Sequence, residues 1–406
     1  MLRKATADDL PALTALRCGA AKANPVDAAG WLQNVAGLEN ILVLEKSGQP
    51  AAMLAAVPVK YGQHRGVWLC GAAGVQGVPM DRLLPKIMEG CLRAYGASGF
   101  DFAVTTPDDA RRARRVRIAA LAALLDPGDE VIVFAPYFVE YDGYVRNYDG
   151  KVVVISPDTE TFMPKLSEFE EKITPSTKAV IINNPNNPTG VVYSEEIIRS
   201  LAAILERKEK EFGISIVLIS DEPYRELAYG GVQVPFITNY YHNSVVVYSY
   251  SKSLSVPGER IGYLVIPDEL EDSKELIQAA TIANRVLGCV NAPSLMQKVI
   301  QYCIEHDVTV DLETYERNRD LIYSALTEYG FTCAKPDGAF YLFVKSPVED
   351  EKEFCETAKK HHVLFVPGSS FACPGYVRIA YCVSYDQIKR SLPAFREIAK
   401  EYGLTQ

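Results

Sequence analysis

Lys252 closes the run Tyr248-Ser249-Tyr250-Ser251-Lys252, and Arg260 follows inside Pro257-Gly258-Glu259-Arg260-Ile261-Gly262. A lysine amine can form a Schiff base with an aldehyde. A guanidinium and a hydroxyl can hold that aldehyde's phosphate, the first through a planar fork and the second through a short hydrogen bond. Taken alone, the run is equally an exposed basic loop. Two stretches upstream argue against that. Val217-Leu218-Ile219-Ser220-Asp221-Glu222-Pro223-Tyr224 reads as a buried strand ending in an acid. Asn184-Pro185-Asn186-Asn187-Pro188-Thr189-Gly190 is a polar turn after the apolar run Ala179-Val180-Ile181-Ile182. An aspartate at the C-terminal end of a parallel strand lies where open α/β sheets bind ligands. There Asp221 can keep a ring nitrogen protonated, so that the ring accepts electrons from a carbanion. Asn187 and Tyr224 can hydrogen-bond an oxygen on the same ring.

The elements needed to position these groups are legible. Strand-like runs at Val131 to Phe134, Val152 to Ile155, Ala179 to Ile182, Ile216 to Ile219, Ser244 to Tyr248 and Gly262 to Ile266 alternate with helical patterns. That alternation predicts an α/β fold with a largely parallel, doubly wound sheet. A helix from about Glu195 to Phe212 puts Ile197, Ile198, Leu201, Ile204 and Leu205 on one face. A helix from about Asp311 to Tyr329, strands around Phe331, Ala339 to Val344 and Val377 to Tyr381, and a terminal helix from Tyr385 predict a smaller α+β domain closing over the site. A further strand is expected at Val363 to Val366.

From about Leu121 to Gln406 the chain resembles a class I/II aminotransferase, a pyridoxal-phosphate enzyme of fold type I. The segments that carry the resemblance are Asp126-Pro127-Gly128-Asp129-Glu130-Val131-Ile132-Val133, Asn187-Pro188-Thr189-Gly190, Ser220-Asp221-Glu222-Pro223-Tyr224 and Ser249-Tyr250-Ser251-Lys252. They continue with Asp337-Gly338-Ala339-Phe340-Tyr341, Val366-Pro367-Gly368-Ser369-Ser370-Phe371 and Tyr376-Val377-Arg378-Ile379. The resemblance implies an enzyme moving an amino group between an α-amino acid and a 2-oxo acid through a Lys252 Schiff base. It implies that Asp221 pairs with the pyridine nitrogen, that Asn187 and Tyr224 hold the ring oxygen, and that Ser249 and Arg260 hold the phosphate. Arg378 then binds the substrate's α-carboxylate, and its bidentate grip fixes which Cα bond stands perpendicular to the ring. Phe138, in Pro136-Tyr137-Phe138, falls where the family stacks an aromatic on the ring, with Tyr137 as the other candidate. Arg285 either reaches substrate or partner subunit or forms a surface salt bridge. The implied organisation is a cofactor-binding large domain over 109–290, incomplete at its N-terminus, and a small domain over 291–406. A homodimer with the site at the subunit interface is also implied. The same lysine and aspartate also serve carbon–carbon lyases.

Residues 1–108 do not follow that pattern. They resemble the front part of a GNAT-type N-acetyltransferase: a short strand and capped helix start at Leu2 to Pro11, a hairpin around Lys46-Ser47-Gly48-Gln49-Pro50, and a strand at Gly66 to Gly71. A helix from Met80 to about Tyr95 and a strand at Gly99 to Thr106 complete the likeness. The acetyl-CoA loop of that family is altered here, as Ala73-Gly74-Val75-Gln76-Gly77-Val78-Pro79. The glycine-rich phosphate loop of the aminotransferases should fall near 111–116, where Arg111-Arg112-Ala113-Arg114-Arg115-Val116 stands instead, at the start of a helix running to Leu125. The strand Phe102 to Thr106 is expected to insert into the large-domain sheet beside Val131 and supply a missing element. Two other functional readings stay open: a catalytically impaired aminotransferase-like remnant, and an N-acetyltransferase.

Composition bounds these readings. With 406 residues, 48% of them apolar, the chain can build two or three cored domains. A formal charge of −9 argues against a general nucleic-acid or anionic-membrane surface. No run is apolar and long enough to span a bilayer, and the start matches neither a signal nor a transit peptide. Nine cysteines without metal spacing indicate reduced thiols and a cytoplasmic setting. Cys355 and Cys373 read as buried small residues, His361 and His362 as surface residues, and no metal is expected.

Overall fold

The computed structural model describes residues 2–21, 41–46, 49–61, 64–74, 102–105 and 115–404, together with Leu32. The chain divides into two compact units, residues 1–111 and 112–406.

The first unit is a five-stranded sheet. Its strands are β1 (Leu2–Lys4), β2 (Ile41–Lys46), β3 (Gln49–Tyr61), β4 (His64–Gly74) and β5 (Phe102–Thr105), in that spatial order. The first three pairings are antiparallel and β4 pairs with β5 in parallel. Helix α1 (Leu10–Ala21) follows a start braced by Asp9, whose carboxylate accepts the Thr6 amide hydrogen at 2.7 Å. Leu13, Leu16, Leu32, Ile41, Val43 and Met53 form its core. The expected insertion of the Phe102 strand beside Val131 is therefore corrected, because the strand completes its own unit's sheet against Gly66–Leu69. The long segment after β4 is ample for the crossover a parallel pair requires. The arginine run 111–114, the altered loop 75–79 and the helix expected from Met80 to Tyr95 lie outside the described residues.

In the second unit, α2 (Arg115–Leu124) leads into β6 (Glu130–Phe134), α3 (Glu140–Arg146), β7 (Lys151–Ile155), α4 (Leu166–Lys172), β8 (Thr177–Asn183), α5 (Glu195–Phe212) and β9 (Val217–Asp221). Then come β10 (Ser244–Ser249), the single turn α6 (Tyr250–Ser253) and β11 (Gly262–Val265). The sheet order is β11-β10-β9-β8-β6-β7, parallel except for the β10–β11 pair. Because strand side chains alternate, Ile132, Phe134, Val180, Ile182, Leu218 and Val246 pack on one face with Ile198, Leu201 and Leu205 of α5. Val131, Val133, Ala179, Ile181, Val217, Ile219, Val245 and Val247 pack on the other, with Leu121, Tyr141 and Leu276. Burial on both faces is what the near-continuous apolar strands demand.

Helices α7 (Ser273–Val286), α8 (Ser294–Glu305) and α9 (Leu312–Glu328) lead to β12 (Tyr341–Lys345), α10 (Glu351–Lys360), β13 (Val366–Pro367), β14 (Tyr376–Ala380) and α11 (Tyr385–Glu401). These strands form an antiparallel sheet in the order β12-β14-β13, packed with α9, α10 and α11 around Leu342, Val344, Phe354, Val377 and Phe395. Two expected strands are reduced. The Phe331 run keeps one bridge, Cys333 to Val344. The Val363 run keeps Val366–Pro367, since His362 turns with φ 60° and Leu364 faces solvent. Among the described residues no helix is long and apolar enough to cross a membrane.

Candidate active site

The strand ends gather the chemistry. Asn183 ends β8, Asp221 ends β9 and Ser249 ends β10, while the chain leaving β6 runs directly to Tyr137 and Phe138. Strand β11 runs the opposite way and starts at Gly262, paired with Ser249, so Arg260 also lies at this edge. It is the edge where parallel sheets bind ligands.

Asp221 is buried, and its Oδ2 accepts the Tyr141 hydroxyl at 2.6 Å. Its backbone carbonyl accepts the Asn183 amide at 2.7 Å, and Asn183 Oδ1 in turn accepts the Asn187 N–H at 2.7 Å. One strand end therefore locks the next, and both fix Asn187. The following residue is anchored too. Glu222 Oε2 accepts Arg225 Nε at 2.6 Å, and that guanidinium also donates to the carbonyls of Val234 and Pro235. Burial pushes the Glu222 carboxyl up while Arg225 opposes it.

Gly190 closes the Asn187 turn with φ 75°, and its carbonyl accepts the amides of Asp337 and Gly338 at 3.0 and 2.8 Å. This bond carries the 337–341 segment into the site. A β-carbon on Gly190 would stand 2.6 Å from the Pro336 side chain, so glycine is needed for both its φ and its space.

Tyr224 OH lies 3.1 Å from Tyr341 OH, and both rings are buried. The Lys252 amine sits 5.2 Å from the Phe340 ring centre and 5.9 Å from that of Tyr224. Arg378, in the middle of β14, has its guanidinium between the rings of Tyr341 and Phe371, at 4.4 and 4.8 Å. It donates to Asn187 Oδ1 at 2.9 Å, and its Nε is buried with no hydrogen-bond partner. A planar cation so held, with a donor left over, suits a carboxylate. Burial raises the Tyr341 phenol, with the Tyr224 hydrogen bond and the Arg378 charge opposing. Its hydroxyl keeps its proton at neutral pH.

The phosphate-binding expectations are placed at the same edge. Ser249 Oγ lies 2.6 Å from Ser251 Oγ, at the start of α6. Arg260 adopts φ 53° and donates to the Pro257 carbonyl of its own turn. Phe138 meets Tyr141 edge-on at 5.7 Å, and Tyr137 stacks on Tyr141 at 6.4 Å. Arg285 is exposed on α7, away from these contacts. The structure thus joins Asn187, Asp221, Tyr224, Lys252 and Arg378 in one network, with Phe138 one ring away.

Five members were not assigned from sequence: Tyr141, Asn183, Phe340, Tyr341 and Phe371. Tyr141 carries a signal, since it follows Phe138 by one helical turn and shares its face. Asn183 is polar at a strand end. For the other three, only the tertiary fold reveals the partner.

The donor set fits an anionic aromatic aldehyde: an amine, a strand-end carboxylate, a phenol and amide, and a hydroxyl with a guanidinium. Comparison with known proteins places the chain in a family. The family described as aminotransferase class I and II matches residues 113–395. An aspartate aminotransferase of Thermotoga maritima is 34% identical over 284 residues, covering 69% of this chain and 72% of that one. An aspartate/prephenate aminotransferase of Thermus thermophilus is 34% identical over 281 residues, covering 68% and 71%. A crystal structure of an aminotransferase from Eubacterium rectale superposes with a TM-score of 0.69 at 51% identity, covering 72% of this chain and 73% of that one. On sequence and fold alike, the chain belongs to the class I and II aminotransferases, a family of pyridoxal-phosphate-dependent enzymes.

Proposed function

We propose that the chain binds pyridoxal phosphate at Lys252 and moves an amino group between an α-amino acid and a 2-oxo acid. The observation that carries this reading is the contact path from Lys252 through Tyr224 and Tyr341 to Arg378 and Asn187. It links an amine and a buried guanidinium through two aromatic side chains. Bound there, the cofactor supplies an electron-accepting ring that stabilises negative charge on the substrate Cα.

The protein's own groups do the rest. Asp221, ordered by Tyr141, holds the ring nitrogen's proton. Asn187 and Tyr224 hold the ring oxygen, Ser249 and Arg260 the phosphate, and Phe138 covers a ring face. Arg378 grips the α-carboxylate and orients the Cα–H bond. Once displaced by the substrate's amino group, the Lys252 amine would stand free as the base that takes the proton from Cα. Aspartate leads the substrate panel, with prephenate among the 2-oxo acids, given what the relatives are named for.

A homodimer is part of this reading. Ile282, Val286, Leu295, Tyr302 and Ile304 on α7 and α8 are exposed, Val286 by 81%. Exposed apolar side chains of this kind support an interface there. The separate sheet formed by β12 to β14 supports a small domain over 291–406 against a cofactor-binding part over 109–290. For residues 1–108, four antiparallel strands followed by a parallel one support a truncated GNAT-type unit. Calorimetric titration with acetyl-CoA is expected to show no binding.

The reading is tested by the absorbance spectrum with added pyridoxal phosphate, beside Lys252→Ala. A visible band that needs Lys252 and responds to amino acids is expected. The spectrum of free cofactor in both proteins would reject it.

A further inference from the structure

Tyr341 occupies two sites at once. The Arg378 guanidinium lies over its ring face at 4.4 Å, and its hydroxyl meets that of Tyr224 at 3.1 Å. Arg378 and Tyr224 are thus two ends of the site joined through one rigid side chain. Tyr224 in turn lies under the Lys252 amine, whose other aromatic neighbour, Phe340, directly precedes Tyr341 in the chain. Phe340 and Tyr341 each pack edge-on against Tyr224, at 5.5 and 5.9 Å. Ring and hydroxyl belong to one rigid plane, so a shift of Arg378 that displaces the Tyr341 ring also displaces the hydroxyl on Tyr224.

We infer that Tyr341 is a positioning residue that transmits occupation of the Arg378 carboxylate clamp to Tyr224 and so to the Lys252 end of the site. This rests on the reading of Lys252 as the cofactor lysine and Arg378 as the carboxylate clamp. The role divides by atom. The ring supports Arg378 through a cation–π contact, so it governs how tightly a carboxylate binds. The hydroxyl carries the link to Tyr224, so it governs whether that binding is felt at Lys252. Burial keeps the phenol protonated, which leaves it able to donate to the Tyr224 oxygen throughout the neutral range. A second route runs from Arg378 to Asn187. Loss of the Tyr341 hydroxyl therefore weakens the coupling without abolishing the clamp.

The experiment uses the full chain loaded with pyridoxal phosphate, with maleate and 3-phenylpropionate as unreactive carboxylate probes. The visible band that depends on Lys252 is titrated with pH, with and without each probe. In the wild type, a saturating carboxylate is expected to move the midpoint by on the order of one pH unit. In Tyr341→Phe, which keeps the ring, the probe's Kd should stay within about threefold while its effect on the midpoint falls to less than half. Tyr341→Leu, which loses the ring, should weaken the probe about tenfold or more. Tyr341→His, with a donor in place of the hydroxyl, should restore part of the shift and serves if the phenylalanine variant does not fold. With substrate, Tyr341→Phe should lower kcat more than it raises KM. The assignment is overturned by a wild type whose midpoint ignores both probes, by a Tyr341→Phe protein that keeps the full shift, or by a Tyr341→His protein that shows none. A wild type with no Lys252-dependent band overturns the cofactor reading itself, an outcome distinct from a normal band with an unaltered variant.

Discussion

Arg378 shows how much of this site depends on geometry rather than charge. Its planar group lies between Tyr341 and Phe371, donates to Asn187 and keeps a buried Nε unpaired. Lysine keeps the charge but loses the fork and the stacking plane. Arg378→Lys is expected to raise KM for the amino acid by roughly 10- to 100-fold, or about 1.4 to 2.8 kcal/mol, measured by steady-state kinetics. Cysteine chemistry gives a second residue-scale test. Burial pushes Cys373 and Cys333 up to about 12, leaving roughly one thiol in ten thousand ionised at pH 8. Partial burial raises Cys382 too, with the charges of Lys252 and Arg378 opposing the rise, but the residue still reaches solvent. Iodoacetamide on the native protein should label Cys382 well before Cys373, and the order should collapse in denaturant; peptide mass spectrometry reads it. The chemistry-bearing residues were legible because lysine, strand-end aspartate and arginine stand in short runs whose residue types converge on one reaction. Tyr141 and Tyr341 were not, because their meaning lies in partners 80 and 117 residues away.

At the scale of elements, α5 matches its sequence signals closely. Ser194 caps it by accepting the Ile197 amide at 3.3 Å, and Gly213 ends it with φ 67°. Its apolar stripe is the buried stripe, with Ile198, Leu201 and Leu205 wholly inside. Leu201→Ala should cost about 2–5 kcal/mol and Ser194→Ala about 1 kcal/mol, both read by urea denaturation. The strands of the large sheet were equally legible, since burial on both faces writes unbroken apolar runs. Short strands of the small sheet were not. Val366–Pro367 is held by its neighbour Tyr376–Ala380 rather than by its own pattern. Gly190 joins two such elements, and Gly190→Ala should cost more than α5's cap because it strains φ and crowds Pro336 together. The same variant should weaken cofactor binding, measured by fluorescence titration, as the Asn187 turn loses its anchor.

For the molecule as a whole, the exposed apolar residues of α7 and α8 set an expectation about mass. If the proposed homodimer uses this surface, Val286→Asp combined with Leu295→Asp should shift the particle from dimer to monomer in light scattering, leaving the monomer's helical signal intact. The order of the large-sheet strands along the chain was legible in the second unit, whereas the strand Phe102–Thr105 was assigned to the wrong sheet. A four-residue strand carries too little pattern to name its neighbour, and pairing with β4 decided it. The hydrogen bond between Arg378 and Asn187 spans 191 residues. Emerging from the ribosome, the chain completes the Lys252 edge long before Arg378 exists to meet it. The proposed cofactor cradle and the proposed substrate clamp are therefore born at different times.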